Sequence, residues 1–234
     1  MRKLGFAVLA VCLALASPGA ALARPFVYVT NPVPDSSSVS AYEIGAGGLL
    51  SPLTPATVPT GSSAIGVAAT PDGRSLYVTN FRGNETSTVS QYDINPLTGG
   101  LSPKTPATVA ASGAWQVAVS PDGRSAYVTD ISDSLVLQFT VNQTTGVLSP
   151  KTPASVAAGP ADSIPFSVAV APNGESAYVT TFNAGVRQYD IEPATGDLSP
   201  KHPPAVTAGG CFGERFPVAG SMSYWRTPAL KVVT

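Results

Sequence analysis

The chain has 234 residues, enough for one domain with a substantial core, and only 12% of them are charged. The net charge is −1 and no lysine or arginine cluster is present, so nucleic acid is excluded as an expected partner. Abundant Gly, Pro, Ser, Thr, Ala and Val suit short strands and tight turns, not helices.

The first predicted element is a signal peptide over residues 1–23. Arg2 and Lys3 supply a positive start, residues 4–16 an apolar run, and Ala21-Leu22-Ala23 a small-residue cleavage site before Arg24. The apolar run ends at Ser17-Pro18-Gly19, short of the roughly 20 residues that span a bilayer, so no membrane span is expected. Lipidation at Cys12 is disfavoured because Val11 precedes it and it falls early in the run. Cleavage takes the net charge to about −3 and leaves Cys211 as the single thiol of a protein expected in the periplasm or at the cell surface.

From residue 26 a repeat dominates. Tyr28-Val29-Thr30-Asn31 returns as Tyr77-Val78-Thr79-Asn80, Tyr127-Val128-Thr129-Asp130 and Tyr178-Val179-Thr180-Thr181, at spacings of 49, 50 and 51 residues. Leu-Ser-Pro begins at Leu50, Leu101, Leu148 and Leu198, and a Pro-Asp/Asn-Gly turn at Pro71, Pro121 and Pro172. Three landmarks in fixed order are the signature of a repeat architecture. Each unit reads as four strands. The first (66–70, 116–120, 167–171) is short and apolar, as an inner strand buried on both faces should be. An Asp-Gly or Asn-Gly hairpin leads to the Tyr/Val/Thr-rich second strand, from Ser75 in the second unit. The third (89–94, 135–141, 186–191) alternates in the manner of a half-buried strand. The fourth (101–110 and its copies) carries two prolines, which an edge tolerates and a sheet interior does not.

The predicted fold is therefore all-β: a partial β-propeller over residues 24–210, with about four four-stranded blades near 26–60, 65–110, 115–158 and 166–208. Blade one is expected to have three strands and to lack the innermost. After Gly209-Gly210 the pattern breaks. Residues 211–234 carry none of the landmarks and read either as a divergent closing segment or as sequence unrelated to the repeat, leaving open blade edges available for self-association.

The Tyr-Val-Thr-Asn signature, the Pro-Asp-Gly hairpin and the turn Asp190-Ile191-Glu192-Pro193-Ala194-Thr195-Gly196-Asp197-Leu198-Ser199-Pro200 together resemble the lactonase (YVTN) family of propellers. That resemblance covers residues 26–210 and implies seven blades in a complete member and activity on sugar lactones, as in 6-phosphogluconolactonase. It also implies a Pro-Arg-His triplet before the hairpin proline. The matching triplets here are Ala64-Ile65-Gly66, Ala114-Trp115-Gln116 and Pro165-Phe166-Ser167, which keep Pro165 but neither the Arg nor the His.

His202, the single histidine, falls in an outer strand and is expected to be a surface residue. A His/Cys metal site is excluded by the residue count, Asp72 and Asp122 are explained by their turns, and no cofactor is expected. Asp130, Asp133 and Asp162 lie in loops where an acid–base pair is conceivable but solvated acids are commoner. The loops 80–88, 111–115, 130–134, 159–166 and 181–185 share one propeller face. They supply the binding candidates Asn80, Phe81, Arg82, Trp115, Asp130, Phe166, Phe182 and Asn183 for a protein or carbohydrate ligand, unless Trp115 and Phe166 merely pack between blades. The leading expectation is a non-catalytic binding module. The alternatives are a lactone hydrolase and a remnant of a longer propeller.

Overall fold

The computed structural model describes residues 11–14, 25–33, 36–82, 86–182 and 184–206; Asn183 and the pattern-breaking tail 211–234 lie outside them, as do 1–10 and 15–24 of the predicted signal peptide. Four antiparallel sheets of four strands follow one another along the chain. Blade one comprises β1 (Val11–Ala14), β2 (Phe26–Asn31), β3 (Ser38–Ile44) and β4 (Leu50–Pro59). Blade two comprises β5 (Ala64–Ala69), β6 (Ser75–Asn80), β7 (Thr88–Ile94) and β8 (Leu101–Ala110). Blade three comprises β9 (Ala114–Val119), β10 (Ser125–Asp130), β11 (Leu135–Val141) and β12 (Leu148–Ala157). Blade four comprises β13 (Pro165–Val170), β14 (Ser176–Thr181), β15 (Val186–Ile191) and β16 (Leu198–Val206).

Blade one departs from expectation, having four strands where three were predicted. β1 comes from within the predicted signal peptide and pairs antiparallel with β2, Val11 opposite Val29 and Ala14 opposite Phe26. The physical reason is the edge of β2, whose row of N–H and C=O groups needs a partner. A short apolar segment of inner-strand composition, Val11-Cys12-Leu13-Ala14, meets that need.

The hairpins follow from local chemistry. Asp72 Oδ1 accepts from Thr70 Oγ1 (2.5 Å) and the Arg74 N–H (3.0 Å), and Asp122 accepts likewise from Ser120 (2.5 Å) and Arg124 (3.0 Å). Burial works against the Asp122 carboxylate, but the Ser120 hydroxyl and the Arg124 N–H outweigh it and hold its pKa below the ordinary carboxylate range.

The core sits in the joints between blades, not within them. Tyr28, Val39, Leu76, Val78 and Tyr92 fill the first joint; Tyr77, Val128, Phe139 and Leu148 the second; Tyr127, Val179, Tyr189 and Leu198 the third. Three of the four repeat tyrosines also cross a joint with their hydroxyls. Tyr28 donates to Gly99 O (2.8 Å), Tyr77 to Gly146 O (2.6 Å) and Tyr127 to Gly196 O (2.6 Å). The tyrosine of one landmark and the glycine of another are thus two halves of one contact.

That contact has an alkaline signature. Burial pushes the Tyr127 phenol up to about 12. The unfolded chain gives up this proton at lower pH than the folded one, so stability is unaffected below the ordinary tyrosine pKa and falls as pH climbs from there to about 12. Tyr127→Phe should flatten that fall in a denaturant series across alkaline pH, while losing about 1 kcal/mol at neutral pH with the hydrogen bond.

Candidate functional site

The inner strands begin two residues earlier than predicted because each carries a bulge. Between the pairs Ala64–Asn80 and Val67–Val78, and again between Ala114–Asp130 and Val117–Val128, two inner-strand residues face one partner. In blade four the irregularity lies between Pro165–Thr181 and Ser167–Thr180, at Phe166. The bulges therefore fall on the triplets where the family resemblance implies Arg and His. A bulge re-aims the side chains it carries. Here it aims Ile65, Trp115 with Gln116, and Phe166.

The consequence is an aromatic ladder across three blades. Phe81 meets Trp115 at 5.6 Å between ring centroids, Trp115 meets Phe166 at 6.2 Å, and Phe166 meets Phe182 at 6.4 Å, all edge to face. Such pairs contribute roughly 0.5–1.5 kcal/mol each beyond the area they bury. All four rings remain partly exposed, and Arg82 beside Phe81 is exposed. Five of the eight candidates thus occupy one region. Gln116, which was not singled out, joins them. Its Oε1 lies where a Cβ on Gly66 would come within 2.7 Å, so only glycine leaves room for it.

Asn80 and Asp130 are corrections to that candidate surface, each only 1% exposed. They close the fourth position of the repeat tetrapeptide from inside. Asn80 Oδ1 accepts from Thr60 Oγ1 (2.6 Å) and its Nδ2 donates to Ser90 Oγ (2.8 Å). Asp130 Oδ1 accepts from the Ser132 and Asp133 N–H groups (2.9 and 3.0 Å), but its Oδ2 is buried without a partner. Leu137 stands where blade two has Ser90. Burial raises the Asp130 pKa against the pull of those two N–H groups, and the Asp133 charge adds to the rise.

The sign follows. In strong acid Asp130 is neutral folded or unfolded. As pH climbs from the ordinary carboxylate value toward the raised one, the unfolded chain gives up this proton before the folded chain does, so stability falls, and the loss is complete once pH has passed the raised value. Asp130→Asn should gain on the order of 1 kcal/mol at pH 7, a gain that vanishes in acid and is readable by urea unfolding at both pH values.

Several other charged groups are engaged in structure. A cleft of ≈ 600 Å³ between blades two and three, on the hairpin side, is lined by Asp72, Arg74, Asp93, Lys104 and Asp122. Lys104 there pairs with Asp93 and donates to Thr145 O at 2.7 Å, crossing the joint. His202 is exposed on β16, Asp162 is exposed, and Asp133 accepts from Ser112 Oγ at 3.3 Å. Among the described residues no three His, Cys, Asp or Glu side chains are grouped to hold a metal, and no helix is long and apolar enough to cross a membrane.

Four-stranded antiparallel blades that share their core across each joint, with bulged inner strands opening on one face, make this a β-propeller of about four blades. The sequence pattern of the family described as Lactonase, 7-bladed beta-propeller matches residues 15–215, and the chain belongs to that family. No curated protein matches it. Solved structures do. A putative 6-phosphogluconolactonase from Bacteroides fragilis is 21% identical (TM-score 0.61; 74% of this chain, 52% of that one). The periplasmic gluconolactonase PpgL of Pseudomonas aeruginosa is 19% identical (TM-score 0.63; 82% and 55%). A protein from Lactobacillus plantarum is 23% identical (TM-score 0.60; 74% and 52%). The chain therefore spans about half the length of the solved relatives it matches, and the likeness is one of fold.

Proposed function

We propose that the chain acts on a sugar lactone or a closely related sugar acid, held on the loop face at the aromatic ladder. The family match over residues 15–215 carries this reading, and the gluconolactonases among its structural neighbours support it. The chemistry suits the side chains present. The C–H face of a sugar ring stacks on an exposed aromatic such as Trp115, and the amide of Gln116 reads hydroxyl groups. Ring opening adds water to the ester carbonyl and builds charge on its oxygen. Arg82 is the cation nearest the ladder in sequence and is free to meet that oxyanion or the product carboxylate. Assay of the full chain on glucono-δ-lactone and 6-phosphogluconolactone should show turnover above the spontaneous rate, reduced about tenfold or more by Trp115→Ala. No turnover on either would overturn it.

A second reading, a non-catalytic sugar-binding module, is favoured by one observation. The three bulges carry Ile65-Gly66, Trp115-Gln116 and Phe166-Ser167, none of which titrates near neutrality. Sugar binding by calorimetry that Trp115→Ala abolishes, with no turnover, selects it.

The same proposal places the protein outside the cytoplasm. The sequence pattern of residues 1–23 supports export, whereas the pairing of β1 with β2 requires that segment to be retained. On the export reading, the exported protein begins at Arg24 by N-terminal sequencing; one that keeps Val11–Ala14 sinks it.

A further inference from the structure

A bulge leaves backbone polar groups without a ladder partner, and in a buried strand each must be met elsewhere. In blade two the bulged residues Ile65 and Gly66 lie opposite Thr79, and in blade three Trp115 and Gln116 lie opposite Thr129. The third residue of the repeat tetrapeptide supplies what the bulges lack. Thr79 Oγ1 accepts the Gly66 N–H at 2.7 Å and Thr129 Oγ1 accepts the Gln116 N–H at 3.0 Å, each within its own blade. The carbonyls are met from the blade before. Thr30 Oγ1 donates to Ile65 O at 2.9 Å, and Thr79 Oγ1 donates to Trp115 O at 2.6 Å.

One peptide unit is therefore held at both of its polar atoms by threonines of two successive blades. The Trp115–Gln116 peptide has its oxygen on Thr79 and its N–H on Thr129. The Ile65–Gly66 peptide has its oxygen on Thr30 and its N–H on Thr79. A hydroxyl can accept from one bulge while donating to the next, whereas valine of nearly the same shape does neither. Thr30, Thr79 and Thr129 are all buried, so solvent does not compete for these bonds. Gly66 completes the cluster. A Cβ there would come within 2.7 Å of Gln116 Oε1 and 2.9 Å of both Gln116 Cα and Thr79 Oγ1. Its absence lets the bulge of blade three sit directly on that of blade two, within reach of the Thr79 hydroxyl.

We propose that Thr79 is a positioning residue for the ligand site on the loop face. Together with Thr129 it clamps the Trp115–Gln116 peptide and so sets where the indole and the amide stand. This rests on the reading that the ladder holds the sugar ring. The clamp acts through the backbone, which fixes the direction in which each side chain leaves the strand and keeps both side chains free for a ligand. A peptide held at its oxygen and its N–H cannot turn without breaking a buried hydrogen bond, and a misplacement of about 1 Å is enough to weaken a positioned reaction strongly. The Ile65–Gly66 peptide is clamped in the same way but carries no ring of the ladder. Like bonds with unlike consequences for the ligand separate positioning from stability.

Thr79→Val and Thr30→Val each remove a hydroxyl that holds a bulge carbonyl, and both should lower the melting temperature. Only Thr79→Val should raise KM for glucono-δ-lactone, about fivefold with kcat changed less than about twofold, and Thr79→Ser should restore it. A second readout needs no substrate. In a Trp225→Phe background Trp115 is the only tryptophan. Acrylamide should quench its emission about twofold faster in Thr79→Val and at the parent rate in Thr30→Val. If Thr79→Val does not fold, Thr129→Val, which frees the other end of the same peptide, is read in the same way. A parent chain without turnover fails the lactone reading alone, and quenching then decides the clamp. An unchanged KM in Thr79→Val, or quenching that rises equally in both variants, overturns the proposal.

Discussion

Gly146→Ala should lower the melting temperature by roughly 6–12 °C, from a loss of about 3 kcal/mol in a domain of this size. Gly146 has φ +66°, where an L residue costs roughly 1–2 kcal/mol. Its new Cβ would fall 2.1 Å from Ser75 Oγ and 2.9 Å from Lys104 Nζ, across the joint. The turn must then back away, which lengthens the Tyr77–Gly146 and Lys104–Thr145 contacts together. Gly73→Ala is the matched comparison. Its φ of +70° imposes the same backbone cost, but nothing lies within 4 Å of the added atom. Differential scanning calorimetry should find Gly73→Ala at about 1 kcal/mol. Equal losses at the two glycines would show that the joint contributes nothing.

Gln138→Leu should cost about 3 kcal/mol although it keeps the volume of the side chain. Gln138 is fully buried and bridges two blades: Oε1 accepts the Leu198 N–H at 2.6 Å and Nε2 donates to Pro153 O at 3.2 Å. Leucine leaves a buried donor and a buried acceptor unmatched, each worth roughly 1–3 kcal/mol. Gln188 occupies the same register in blade four, with one bond at 3.3 Å and no following blade. Gln188→Leu should shift the urea midpoint by less than a third of the Gln138→Leu shift. Similar shifts would mean that the glutamine acts within its blade and not across the joint.

The binding candidates divide by how they are placed. Phe81, Trp115, Phe166 and Phe182 were legible as a face because loop membership and hydrophobicity are local properties, and their rings do meet. Asn80 and Asp130 were misread because they end a strand that is buried on both faces along its whole length. Whether that position is content depends on a strand ten residues away, where Ser90 serves Asn80 and Leu137 does not serve Asp130. Gln116 was passed over because its significance lies in Gly66 of the neighbouring blade.

By itself the sequence determined the blade: four strands, their order, their turns and nearly all their limits, because period-two alternation, Asp-Gly hairpins and edge prolines are short-range constraints. The tertiary structure alone decided what those landmarks are for. Tyr127 and Gly196 lie 69 residues apart and become one hydrogen bond only when blades stack. It also decided that Val11–Ala14 completes blade one, since an apolar dozen at an N-terminus satisfies a signal peptidase and a bare strand edge equally well. And it decided which repeat positions are covered, because the burial of Gln138 and the exposure of Leu50 are properties of neighbours, not of residues.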